Sequence, residues 1–259
     1  MLDRILQTKQ KEVAELQLPN KKEVQHYSLF ESLKHSTHSI GLIAEVKKAS
    51  PSKGLICPDF HPQAIAKGYM AGGADAISVL TDVEYFQGHR DYLSAVKDVT
   101  SIPVMRKDFI IDKKQVDETV LIGADAMLLI VGTVPIQTLK ELYDYAYDSG
   151  LECLVEVHAK NELVELLNCF TPKIIGVNNR NLKTFETSLS QTEEMAPLIP
   201  TGSLFISESG IHLEDDIKRV KAAGAAGVLV GESLMRASSP EEGIKTLFGG
   251  EYRASSSAT

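Results

Sequence analysis

Apolar positions fall into two alternating patterns along the chain. Short runs rich in β-branched residues recur as "IGLIAEVKK" ending at Lys48, "AISVLTD" ending at Asp82, "IPVMRKDF" ending at Phe109 and "ADAMLLIV" ending at Val131. Four more follow: "ECLVEV" ending at Val157, "KIIGVNNR" ending at Arg180, "SLFISES" ending at Ser209 and "AGVLVGE" ending at Glu232. Most are nearly continuous in apolar character, which predicts strands covered on both faces in a parallel sheet. The stretches between them, such as "IQTLKELYDYAYDSG", "NELVELLNC" and "LEDDIKRVKAAG", carry apolar residues at helical spacing. Several stop at glycine, as at Gly123, Gly150 and Gly224, where a left-handed helix terminus is easiest for a residue without Cβ.

Eight strand-then-helix units predict an α/β fold, a single closed (β/α)8 or TIM barrel. An open doubly wound sheet would more often show fewer strands and a glycine-rich first turn, and no G-x-G-x-x-G occurs. Short echoes, "GGADA" from Gly72 and "IGADA" from Ile122, precede strands two and four. Residues 1–39 place Leu2, Ile5, Leu6, Val13 and Leu16 at helical intervals, predicting an N-terminal helical extension of one domain spanning 1–250. The tail "EYRASSSAT", 251–259, is small and polar, a composition expected to stay disordered.

Charge narrows the function. With 27 basic and 35 acidic residues the net charge is −8, which disfavours broad attraction to nucleic acid or an anionic membrane and fits a small ligand better. Cys57, Cys153 and Cys169 are odd in number and lack C-x-x-C spacing, against a disulfide framework or structural zinc and consistent with a reducing cytoplasm. No apolar run approaches the roughly 18 residues that span a bilayer.

In such a barrel the C-terminal ends of the strands and the loops after them form the active face. The residues predicted there are Glu45 and Lys47, Lys107 and Asp108, Glu156, Asn178 and Arg180, and Glu208 with Ser209. Strand alternation puts Glu45 and Lys47 on one face, opposite Val46. Any one of these charges alone is most simply a solvated or ion-paired strand end. Their convergence on one mouth is costly unless they pair with one another or meet a charged ligand. Ser50, Pro51, Ser52 and Gly54 form a turn-prone, hydroxyl-rich loop, and Ser209-Gly210 and Gly231-Glu232 end strands seven and eight, where barrels commonly hold phosphate. The seven histidines are scattered without H-E-x-x-H spacing, so no metal is expected. His158 and His212 begin helical stretches and are read as capping or surface residues, and Cys153 as core.

The motifs "IAEVKKASPSKG", "ISVLTD" followed by "YFQG", "VMRKDFI", "LVEVH", "IGVNNRNL", "ISESGI" and "LVGESLMR", in this order, resemble the indole-3-glycerol phosphate synthase family across essentially residues 1–250. The resemblance implies a cofactor-free closure of 1-(2-carboxyphenylamino)-1-deoxyribulose 5-phosphate to an indole, with loss of carbon dioxide and water. It implies that Lys107 is the general acid at the carbonyl oxygen, that Lys47 holds the carboxylate and that Glu156 is the general base. Glu45 and Glu208 would orient the lysines, and Asn178 would bind substrate hydroxyls. Phosphate would sit among Ser50, Arg180, Ser209, Gly210, Gly231 and the amide of Glu232, where other family members carry serine. Leu80, Phe86, Phe109, Leu128 and Leu182 would clamp the aromatic ring. "CPDFHP", after strand one, also departs from the family, in a loop beyond the catalytic motif.

Two other readings stay open at this level. A phosphoribosylanthranilate isomerase would be expected to rely on a Cys and Asp pair rather than this Lys and Glu set. A non-catalytic barrel binding a phosphorylated metabolite or a protein would not need acid and base groups together. No assembly beyond a monomer or weak oligomer, and no pathway-enzyme partner, is specified by the sequence.

Overall fold

The protein is seen as a computed structural model that describes residues 1–181 and 184–249. Its strands are β1 (Gly41–Val46), β2 (Ala76–Leu80), β3 (Val104–Lys107), β4 (Ala126–Ile130), β5 (Glu152–Val157), β6 (Ile174–Asn178), β7 (Leu204–Glu208) and β8 (Gly227–Val230). All pair in parallel and in sequence order, and β1 closes the ring by bonding both β2 and β8. The eight-stranded barrel expected from the apolar runs is therefore present, and the period-two alternation explains its two cores. Ile43, Met105, Leu154, Ile206 and Leu229 pack together inside the ring. Leu42, Ala44, Val79, Met127, Val155 and Val177 face the helices outside. Helices follow each strand as expected, and Gly123, Gly150 and Gly224 have φ of 87°, 84° and 102°, in the left-handed region.

The N-terminal extension is more than one added helix. Helix α1 (Leu2–Glu15) lies by the mouth, whereas α2 (Leu29–Lys34) inserts Leu29 and Leu33 into the interior cluster and plugs the base. The segment between them runs down the outside of the barrel. Its Lys22 N–H donates to the Leu121 carbonyl at 2.9 Å, and the Tyr27 N–H donates to Asp125 Oδ1 at 3.0 Å. The "GADA" echoes acquire a physical reason here. Asp75 Oδ2 accepts the Leu42 N–H at 2.7 Å and Asp125 Oδ2 accepts the Val104 N–H at 2.8 Å, so each aspartate satisfies the free backbone donor of a neighbouring strand.

Helix α1 is fixed by an ion cluster. Lys9, only 1% exposed, places its ammonium 2.8 Å from Asp82 Oδ2 and 2.9 Å from Asp108 Oδ1. Arg106 adds a 3.2 Å pair to Asp108 and a 2.7 Å pair to Glu118, and the Thr81 hydroxyl donates to Asp108. Burial alone would push the Asp108 carboxyl up, but the charges of Lys9 and Arg106 outweigh it and hold the group at about 2. Two corrections to the expected elements are local. Ala49–Ser50 pairs antiparallel with Gly54–Leu55, so the serine-rich loop is a small hairpin. Strand β8 ends at Val230, and Glu232 starts a five-residue helix, α3 (Glu232–Arg236), instead of ending the strand. No described helix is long and apolar enough to cross a membrane. The expected tail, 251–259, lies outside the described residues.

Removing the ammonium would leave Asp82 and Asp108 buried without their shared cation, the costly way to break a buried ion pair. Lys9→Met is expected to lower unfolding free energy by about 3–5 kcal/mol in urea titration.

Candidate active site

The mouth of the barrel is built by the same alternation that fills its interior. Glu45 follows Ile43 on the inward face of β1, Lys107 follows Met105 on β3, Glu156 follows Leu154 on β5, and Glu208 follows Ile206 on β7. Asn178 ends β6 beside Glu208 in register. One cavity is lined by all six expected catalytic positions, Glu45, Lys47, Lys107, Glu156, Asn178 and Glu208. Lys107 sits at their centre, its ammonium 3.2 Å from Glu208, 3.4 Å from Glu156 and 3.8 Å from Glu45. Lys47 pairs with Glu45 from the same side of β1, and the Asn178 amide donates to Glu156 at 3.2 Å.

Side chains this large need room. A Cβ on Gly176 would lie inside contact distance of the Glu208 carboxylate, and one on Gly231 would strike Glu45 and come within 3.0 Å of Lys47 Nζ. Glycine at these two inward positions is what admits the carboxylates.

Burial and charge oppose each other throughout. Burial would lower the Lys107 ammonium, but the three glutamates outweigh it and push it far above the ordinary lysine range. Burial would raise Glu45, yet Lys47 and Lys107 hold it below the usual carboxylate range. Glu156 and Glu208 titrate as a pair. Against burial, Lys107 and His158 keep Glu156 ionised, whereas burial and the negative charge of Glu156 push Glu208 up. With Glu208 biased toward its neutral form, the cluster leans positive and suits an anionic ligand.

The rim of the cavity divides into two ends. At one, Leu80, Phe86, Phe109 and Leu128 form an apolar wall, with the rings of Phe86 and Phe109 6.3 Å apart. Leu182, expected in this wall, lies outside the described residues. At the other end are Ser50, Arg180, Ser209, Gly210, Gly231 and Glu232. Ser209 and Gly210 have φ of 67° and 79°, a sharp turn that costs the serine some strain. Arg180 donates to the Ser52 hydroxyl at 3.3 Å, tying the stretch after β6 to the hairpin after β1.

Several lining residues were not expected. Met1 and, from α1, Leu2 and Ile5 add apolar surface to the cavity, and Phe185 lines it too. Helical spacing alone makes such residues generic core, so nothing local distinguishes them. His158 is a correction: its side chain is 8% exposed, and Nε2 lies 3.0 Å from Glu156 Oε1, so it is neither a cap nor a surface residue. It lies two positions after Glu156, and the alternation that joins Glu45 to Lys47 would have found it. Cys153 is buried, as expected; His212 is exposed, as expected, but it also lines the cavity, which its reading as a capping or surface residue did not foresee. Among the described residues no group of three His, Cys, Asp or Glu side chains is arranged to hold a metal ion.

Known proteins give this arrangement a context. A profile of the family described as Indole-3-glycerol phosphate synthase matches residues 2–247. The indole-3-glycerol phosphate synthase of Halalkalibacterium halodurans is 66% identical over 251 residues, covering 97% of this chain and 98% of that protein. The enzyme of the same name from Geobacillus sp. strain WCH70 is 58% identical, covering 96% of each chain. Among solved structures, 3-hexulose-6-phosphate synthase from Salmonella typhimurium superposes with a TM-score of 0.64 at 13% identity, covering 81% of this chain and 97% of that one, a likeness of fold alone. A family profile matched through nearly the whole barrel, together with relatives 66% and 58% identical over almost all of both chains, means that the chain belongs to the indole-3-glycerol phosphate synthase family.

Proposed function

We propose that the cavity converts 1-(2-carboxyphenylamino)-1-deoxyribulose 5-phosphate to indole-3-glycerol phosphate. The observation that carries this reading is the Lys107 ammonium held among Glu45, Glu156 and Glu208 between an apolar wall and a serine- and arginine-bearing rim. The substrate has a benzoate at one end, a phosphate at the other and a carbonyl between them, and the three parts of the cavity complement these in order.

The ring carbon bearing the carboxylate attacks the carbonyl carbon while Lys107 delivers a proton to the carbonyl oxygen, leaving a hydroxyl. Lys47 holds the carboxylate as its carbon bond breaks, and carbon dioxide leaves with the bonding electrons returned to the ring. The hydroxyl then takes a second proton and departs as water, while Glu156 removes a proton from the carbon next to nitrogen. Overall one proton is drawn from solvent. Lys107 suits its part because its carboxylate partners keep it charged until the carbonyl oxygen becomes basic in the transition state. The apolar wall of Leu80, Phe86, Phe109 and Leu128 presses the ring toward the carbonyl, and such positioning supplies a large share of the acceleration. Asn178 and Glu208 orient substrate hydroxyls and Lys107, and Ser50, Arg180, Ser209, Gly210, Gly231 and the amide of Glu232 receive the phosphate.

His158 supports Glu156 by charge. Burial would lower its imidazole, but Glu156 and Glu162 raise it from 6.5 to about 10. The folded protein therefore binds this proton more tightly than the unfolded chain. The contribution to stability is complete below pH 6.5, declines as pH rises, and is gone above about 10.

Purified protein mixed with the substrate should generate indole absorbance, and folded protein that gives no signal above buffer overturns the reading. Lys107→Ala is expected to reduce kcat by about 10²- to 10⁴-fold, with circular dichroism verifying the fold. The melting-temperature gap between the wild type and His158→Gln is expected to be larger at pH 6 than at pH 10, as measured by calorimetry at both values.

A further inference from the structure

An acid stands in the proposed phosphate rim with cations around it. Glu232 Oε1 lies 3.4 Å from Lys53 Nζ and 3.3 Å from Arg236 Nε, and its Oε2 lies 3.6 Å from Arg180 Nη2. The Glu232 side chain is 16% exposed, against 22% for Arg180 and 43% for Lys53. One carboxylate thus joins three separate segments: the hairpin after β1, the stretch after β6 and its own short helix.

We infer that Glu232 tunes affinity and selectivity for the phosphoryl end of the ligand, because its carboxylate competes with that group for Lys53 and Arg180. The inference rests on the phosphate assignment made above and deepens it.

Without Glu232, Arg180 and the serine hydroxyls of the rim, with Lys53 of the hairpin nearby, would attract any small anion. With Glu232 in place an incoming anion meets a like charge and must draw both cations away from an existing partner. The partner pairs are loose. Their separations of 3.3–3.6 Å exceed the 2.7–2.9 Å of a tight charge-assisted hydrogen bond, and one carboxylate is divided among three cations. They can therefore be exchanged without rebuilding the rim. A phosphoryl dianion offers Lys53 and Arg180 more charge and more acceptor oxygens than one carboxylate, and it wins the exchange. A monoanion offers no more than Glu232 already does. Selection thus works through a built-in repulsive element as well as through attraction. Arg236, on the same helix, gives Glu232 a cation to keep when the other two turn to the ligand. Release of a phosphorylated product is helped in the same way, since the carboxylate is at hand to reclaim Arg180 and Lys53.

The test is calorimetric titration of the full chain with inorganic phosphate, together with substrate kinetics. Glu232→Gln keeps the shape and removes the charge. It should tighten inorganic phosphate binding and lower KM by about fivefold, the effect of removing one like charge a few ångströms away in a wet rim. kcat should fall or stay level while KM drops. Glu232→Asp, which restores the charge, should return both values toward the wild type, a reversal that a merely structural role would not produce. Equal or weaker phosphate binding by a folded Glu232→Gln variant overturns the inference. If in that case the wild type binds phosphate and Arg180→Ala abolishes binding, the phosphate assignment stands and the failure of Glu232→Gln to bind more tightly removes only the role of Glu232. If neither wild type nor Glu232→Gln binds phosphate and Arg180→Ala leaves KM unchanged, the assignment and the inference both fall.

Discussion

The ammonium of Lys107, shared by three buried carboxylates, is the constraint around which the mouth is organised. A lone charge at this depth would lose its proton or destabilise the fold. Three carboxylates without it would repel one another and take up protons. The groups are tolerable only together, and a barrel brings them together because β1, β3, β5 and β7 each direct one inward side chain at the same level. Neighbours extend the balance: Lys47 answers Glu45, and His158 answers Glu156. What makes the cluster affordable in the fold also holds an acid and a base in opposite protonation states within reach of one ligand.

The second charge cluster works behind the first. Lys9, Asp82, Asp108, Arg106 and Glu118 stand beside the mouth, and Asp108 is the chain neighbour of Lys107. Their pairing anchors α1, and α1 brings Leu2 and Ile5, with Met1 before them, to the cavity. The N-terminal extension thus supplies part of the pocket and, through Leu29 and Leu33, the plug at the opposite end. A single length of chain braces the barrel at both openings.

Much of this was legible in the residues because a parallel barrel writes its strands as short apolar runs and its active face as the polar residues that end them. Glu45, Lys47, Lys107, Glu156, Asn178 and Glu208 all follow from that rule, and all line the cavity. What escaped depended on partners distant in sequence. Lys9 reads as an ordinary surface lysine of an amphipathic helix until Asp82 and Asp108 are brought beside it. His158 reads as the start of a helix, although its spacing from Glu156 puts it on the same face of the chain. The five-residue helix at Glu232 is too short to display a helical period at all.

Gly176 and Gly231 carry no functional group, yet each stands where a carboxylate of the mouth needs its space. The mildest enlargement possible, a lone methyl, would press on the acids of the mouth at both sites, and at Gly176 on Leu154 as well. A side chain at either site would compete for space with neighbouring acids, and two of the most featureless residues of the barrel thereby help to set where those acids stand.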